Sequence, residues 1–208
     1  MNDVRPAASL AALRGEETAC RRCDLYQHAT QVVPGEGPLR ARLMLVGEQP
    51  GDREDLAGKP FVGPAGRILA RALEEAAIPR DEVFITNAVK HFKFEQRGKR
   101  RLHKRPGVTQ IEACRWWLDN ERMLVKPAVI LALGVTAARG VLGRTIAIGK
   151  SRDQTETLAD GTLVRVTIHP SALLRRRTEE EKRAEYQRFI DDLRAAGALV
   201  GCGASAKV

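Results

Sequence analysis

RLMLVG (residues 42–47) is a short, continuous apolar run stopped by a glycine. Such a run reads as a strand buried on both faces, as in a parallel sheet. A polar loop follows, and then GPAGRILARALEEAAI (63–78), in which Ile68, Leu69, Ala72 and Leu73 recur at helical spacing until Pro79 ends the helix. VFITNAV (83–89), AVILALG (128–134) and TLVRVTIHP (162–170) repeat the strand pattern, the last alternating and ending at His169-Pro170. One helix is predicted from Thr109, with Glu112 completing a capping box, to about residue 125. Others are predicted over residues 9–14, 135–142 and 179–196, the last with Tyr186, Phe189, Ile190 and Leu193 inward. FKFEQRGKRRLHKRPG (92–107) has no hydrophobic period and is expected to be a long loop.

Strands alternating with helices predict an α/β fold: three layers, α/β/α, around a central four-stranded, mostly parallel sheet. It is expected to form a single domain, with its core over residues 9–196 and a flexible tail over 197–208. Active residues in such folds gather at the carboxyl ends of the strands.

At 208 residues and 43% hydrophobic content the chain can bury one sizeable core. Lys and Arg total 35 against 26 acidic residues, a net charge of +9, which suits a polyanionic partner. Basic charge by itself is also common in proteins that bind no nucleic acid. The first residues lack a long apolar core after a basic start, and no run approaches the ~18 apolar residues of a membrane span. Neither secretion nor membrane anchoring is expected.

Four cysteines, three of them in metal-like spacing, fit a reducing interior better than a disulfide framework, so a cytoplasmic location is expected. Cys20 and Cys23 form a C-R-R-C pair, followed by His91 and Cys114. Soft thiolates suit zinc and iron–sulfur clusters alike, and spacing does not choose between them. Cys202, in a glycine-rich tail, competes as fourth ligand. Cys114 also reads as a buried helix cysteine beside Trp116 and Trp117.

At GEQPGDREDLAGKPFVGPAGRIL (47–69), TNAVKHF (86–92) and HPSALLR (169–175) the chain resembles the uracil-DNA glycosylase superfamily. The similarity runs from Cys20 to about residue 193. It is nearest to the family-4 iron–sulfur glycosylases and, closer still, to UdgX-type proteins. The resemblance implies a 4Fe-4S cluster held by Cys20, Cys23, His91 and Cys114, where family 4 has a cysteine in place of His91. A neutral imidazole replacing an anionic thiolate should raise the cluster's reduction potential. The simplest role for the cluster is a staple joining the N-terminal segment to the helix near Cys114.

The resemblance also implies a DNA-repair enzyme that flips uracil out of DNA and cuts its glycosidic bond. Phe61 becomes the stacking floor, although a phenylalanine is otherwise most often core. Asn87 offers an amide to O4 and N3-H of uracil, a pattern that cytosine reverses. His169 stabilises the charge developing at O2. Pro170 and Ser171 fix the turn and contact a phosphate, and Leu173 or Leu174 wedges into the vacated stack. Gly47, Gln49 and Pro50 form the base-pocket loop, with Gln49, a UdgX-like feature, contacting uracil or shaping the loop. Glu48 and Asp52 are the carboxylates expected near C1′, whereas Glu54 and Asp55 read as a solvated acidic turn.

The K-R-R-x-H motif of GKRRLHKR (98–105) carries the second UdgX-like feature. There the resemblance implies that His103, oriented by Glu48, captures C1′ and stays bonded to the DNA. Lys99, Arg100, Arg101, Lys104 and Arg105, with Arg175, are expected to grip phosphates. The expected partner is uracil-containing DNA, preferably single-stranded, bound by a monomer. A turnover glycosylase without an adduct, or a redox-responsive DNA-binding module, are the rival readings. The main reading requires Phe61, Asn87, His103 and His169 to face one cavity.

Overall fold

A computed structural model describes residues 7–201. In chain order its elements are α1 (Leu10–Thr18), β1 (Leu43–Gly47), α2 (Asp52–Ala57), α3 (Pro64–Glu75), β2 (Val83–Asn87), β3 (Phe94–Arg97) and β4 (Arg100–His103). They continue with α4 (Val108–Val125), β5 (Val129–Leu133), α5 (Val135–Leu142), α6 (Ile148–Ser151), β6 (Glu156–Thr157), β7 (Leu163–Thr167) and α7 (Glu179–Ala198). A 3-10 turn at Pro170–Arg175 precedes α7.

The central sheet has the order β2-β1-β5-β7-β6, parallel except for the antiparallel edge strand β6. Its strands read as unbroken apolar runs because both faces are covered. Leu43 and Leu45 of β1 and Leu131 and Leu133 of β5 pack with Leu69 and Leu73 of α3 and Phe189 and Leu193 of α7. Met44, Val46, Ile130 and Ala132 face the other way, toward Leu118 of α4 and Ala137 and Val141 of α5. This two-residue alternation gives the three layers. Among the described residues no helix is long and apolar enough to cross a membrane.

The structure corrects several boundaries. The sheet has five strands, not four: β6 is two residues long and polar, too short to show a period. The expected loop over 92–107 contains a hairpin, β3 paired antiparallel with β4. α1 extends to Thr18. The N-cap of α4 is Gly107, whose N–H donates to Gln110 Oε1 at 2.8 Å, so Thr109 lies inside the helix. α7 continues to Ala198, and Gly197 and Val200 are buried, so the chain stays packed against the core as far as Val200. Cys202 and the rest of the tail lie outside the described residues.

A buried charge group ties β2, and the connecting segments at Gly35 and Lys90, to α4. Lys90 Nζ, fully buried, donates to Glu121 Oε2 of α4 at 2.6 Å and to Thr86 Oγ1 of β2 at 2.5 Å. Glu121 Oε1 accepts the Gly35 N–H at 2.8 Å. Removing one member of a buried pair strands the other charge. Glu121→Ala is therefore expected to lower stability by about 3–5 kcal/mol, read as a fall in the urea midpoint.

Candidate active site

The carboxyl ends of β1 and β2 stop level with each other, Gly47 opposite Asn87. A Cβ at position 47 would stand 2.3 Å from Asn87 Oδ1 and 2.6 Å from Phe61 Cζ, so bare backbone lets the amide and the ring converge there. Phe61 holds a left-handed φ of +57°, a conformation costly for a bulky side chain and typical of functional positions. Gly66 permits it, because a Cβ there would meet the Phe61 carbonyl oxygen at 1.6 Å.

His169 enters from the end of β7, with its ring stacked 6.0 Å from that of Phe61. Its Nδ1 accepts the Ser171 N–H at 3.2 Å and lies 2.8 Å from Ser171 Oγ. The ring proton of the neutral imidazole is thereby placed on Nε2. Burial, reinforced by His103 and Arg175, pushes the His169 pKa down to about 4. Phe61, Asn87, His103 and His169 line one cleft of about 490 Å³, with Leu174 and Arg175 at its edge. Leu173 is buried in the core, while Leu174 is 52% exposed, so only Leu174 is available to reach outward.

His103 ends β4, paired with Phe94 across the hairpin, and its ring lies 6.1 Å from that of Phe92. Its Nε2 stands 3.4 Å from Glu48 Oε1. Partial burial lowers its pKa, against the upward pull of Glu48. Glu48 Oε2 in turn accepts from Thr136 Oγ1 at 2.6 Å. The hairpin is fastened by Gln49, which is 6% exposed. Gln49 Nε2 donates to the Lys93 and Lys104 carbonyls at 3.1 and 3.0 Å, and its Oε1 accepts the Lys93 N–H at 3.1 Å. Of the two roles expected for Gln49, shaping the loop is what these bonds do. Pro50, beside it, is buried.

Other residues sit differently from expectation. Arg101 turns inward: its Nε donates to Asp52 Oδ1 at 2.6 Å and its Nη1 to Asp55 Oδ2 at 2.5 Å, which removes it from the phosphate-gripping set. Asp52 lines the cleft, but its carboxylate is occupied by that guanidinium. Glu54 and Asp55 form no solvated turn. Glu54 is buried and accepts the Gly51 and Gly63 N–H groups at 3.0 and 2.9 Å, and Asp55 accepts that of Thr30. Lys99, Arg100, Lys104, Arg105 and Arg175 are exposed, with Lys104 Nζ 2.5 Å from Glu95 Oε2. The sequence reading passed over Thr136, since a threonine in the first turn of a helix is unremarkable until its partners are known.

The family model for the uracil DNA glycosylase superfamily matches residues 34–194. This chain belongs to that superfamily, on the family-4-like side. The Type-4 uracil-DNA glycosylase of Thermotoga maritima is 38% identical over 182 residues, 87% of this chain and 89% of its own length. That of Archaeoglobus fulgidus is 33% identical over 200 residues, covering 93% and 94%. That of Pyrobaculum aerophilum is 35% identical over 180 residues, covering 82% and 86%.

In this glycosylase-superfamily chain the cysteines Cys20, Cys23 and Cys114 share one apolar cluster with Leu13, Leu25 and Trp117. Trp117 Nε1 donates to Cys20 Sγ at 3.1 Å and the Lys90 N–H to Cys114 Sγ at 3.2 Å. Burial pushes the Cys114 thiol up to about 12 and raises that of Cys23, and it lowers the pKa of buried His91, which stays a neutral donor. Among the described residues no group of three or more His, Cys, Asp or Glu is placed to hold a single metal ion. Three soft sulfurs in one apolar cluster are the donor chemistry that suits an iron–sulfur group.

The His169 environment has a sign that can be checked. Unfolded chain takes up a proton on this imidazole below about pH 6.5, whereas the folded one resists until about 4, so its contribution lowers stability as pH falls through that window. Nitrogen-15 NMR is expected to show the Nε2-H tautomer persisting to near pH 4. A midpoint near 6.5 would contradict the burial argument.

Proposed function

We propose that this chain excises uracil from DNA and is captured on the product through His103. One observation carries the second half of the reading: His103, 3.4 Å from Glu48, borders the same cleft as Phe61, Asn87 and His169. Family membership and the activity for which the Type-4 relatives are named support the first half.

The base enters the cleft after leaving the stack, with Leu174 filling the gap and Phe61 beneath the ring. Asn87, held by β2 at 2% exposure, pairs with O4 and N3-H, and cytosine would leave those buried groups unpaired. The C1′–N1 bond breaks with its electron pair leaving on uracil, whose O2 accepts from the Nε2-H of His169. One imidazole nitrogen of His103 then bonds to the cationic C1′, while the other sheds its proton toward Glu48. Lys99, Arg100, Arg105 and Arg175 supply phosphate contacts, and single-stranded DNA avoids the cost of unpairing. Cys20, Cys23, His91 and Cys114 would hold the 4Fe-4S cluster, which pins the segment after α1 to α4 and the end of β2. The closeness to UdgX-type proteins is part of this proposal, resting on Gln49 and the hairpin histidine together.

Protein incubated with a single-stranded uracil oligonucleotide is expected to gain the mass of the abasic strand and to survive SDS and heat, as read by intact mass spectrometry and gel shift. His103→Ser should lose that adduct while still releasing uracil, since water can intercept the same cation. Repeated turnover by wild type without an adduct would remove the capture step. Gly47→Ala should lower uracil release by about 100-fold, because displacing Asn87 and Phe61 by even ~1 Å misplaces the base.

A further inference from the structure

We infer that Thr136 is a positioning residue, whose hydroxyl locks the Glu48 carboxylate in the orientation that serves His103. This deepens the capture reading and rests on it. Thr136 lies in the first turn of α5, just past the end of β5, and is 3% exposed. Its single hydroxyl proton is committed to Glu48 Oε2 at 2.6 Å, and its oxygen accepts from Arg105 Nε at 3.2 Å. Arg105 Nε also stands 3.7 Å from Glu48 Oε2. One carboxylate oxygen is thus fixed by a buried group on the rigid core, which leaves Oε1 as the oxygen turned toward His103 Nε2.

The arrangement joins two parts of the chain that differ in rigidity. His103 is half exposed on a two-stranded hairpin, whereas Thr136 and Glu48 stand at the ends of adjacent central strands. A glutamate side chain has several rotamers, and without a fixed partner its carboxylate would divide its time among Arg105, solvent and the imidazole. A hydrogen bond to a charged group, made by a hydroxyl that is itself buried, selects one of them. A smaller cavity of about 260 Å³ on this side is lined by Glu48, His103, Arg105 and Ile148, so the carboxylate has room to swing if released.

Two measurements test the inference on Thr136→Val, which keeps the shape and loses the hydroxyl, and Thr136→Ser, which keeps the hydroxyl. The first is the NMR titration of the His103 ring in DNA-free protein. The charged and titratable groups facing that ring are Glu48 and Glu54, which raise its pKa, Arg175, which lowers it, and His169, whose own pKa of about 4 keeps it uncharged at higher pH. With Glu48 released, the midpoint should move to lower pH in Thr136→Val and return in Thr136→Ser. The second is the single-turnover rate of adduct formation, expected to fall about 10-fold in Thr136→Val and to stay within about 2-fold of wild type in Thr136→Ser, the size expected for one hydrogen bond to a charged group. A purely structural role would lower the rate without moving the titration. An unmoved midpoint in Thr136→Val, or an equal loss in Thr136→Ser, overturns the inference. If wild type forms no adduct while the titration still shifts, capture fails and the positioning role stands.

Discussion

Three hydrogen bonds from one buried amide, that of Gln49, hold the hairpin against the sheet. Everything carried by that hairpin depends on them. β3 and β4 pair only with each other, so their position relative to the sheet is not set by a shared ladder. Gln49 sits two residues past the end of β1 and grips Lys93 and Lys104, at the base of the hairpin, where those two residues also bond to each other. Breaking such contacts would leave buried donors and acceptors unmatched, at a cost of about 1–3 kcal/mol each. The ring contact between Phe92 and His103 adds an apolar footing next to the amide.

Charge is arranged around the same point. A chain with a net charge of +9 places a group of carboxylates at the mouth of its cleft, and each is assigned to a specific donor. Glu54 takes two backbone N–H groups, one before α2 and one before α3, and so fixes the loop that presents Phe61. Asp52 and Asp55 share Arg101, which ties the start of α2 to β4. The result is a pocket whose acids are compensated from within, beside a rim whose cations point to solvent. That division suits the proposed substrate, a neutral base attached to an anionic backbone.

How much of this was legible in sequence follows from the range of the interactions involved. β1, β2 and β5 announce themselves because both of their faces are buried, and α5 was read with its observed ends. Phe61, Asn87 and His169 were found through motifs at strand ends, and they do meet in one cleft. The hairpin was missed because its partners, such as Arg97 with Arg100 and Gln96 with Arg101, are polar on both faces and bury little. Glu54 and Asp55 were misread because an acid accepting distant backbone N–H groups looks in sequence like an acid in water. Arg101 was misassigned for the same reason, since its two carboxylates lie 49 and 46 residues away.

The division of labour in the fold bears on why excision and capture can be separate steps. On the proposed reading, recognition of the base rests on strand ends: Gly47 and Asn87 are register partners, and His169 follows β7, so their spacing is that of the sheet itself. The proposed nucleophile instead stands on an appendage fastened at its base by Gln49 and along β4 by Arg101. Loss of the His103 imidazole leaves the base pocket whole, because none of the hydrogen bonds that hold Phe61, Asn87 or His169 passes through it. On that reading the cation at C1′ forms in either case, and its fate is then set by which nucleophile is nearest. An imidazole held by a fixed carboxylate outcompetes water through proximity alone, since a positioned group acts at an effective concentration of about 10⁵ M or more. On the proposed reading, one imidazole positioned on a hairpin beside the base pocket suffices to make the reaction terminal.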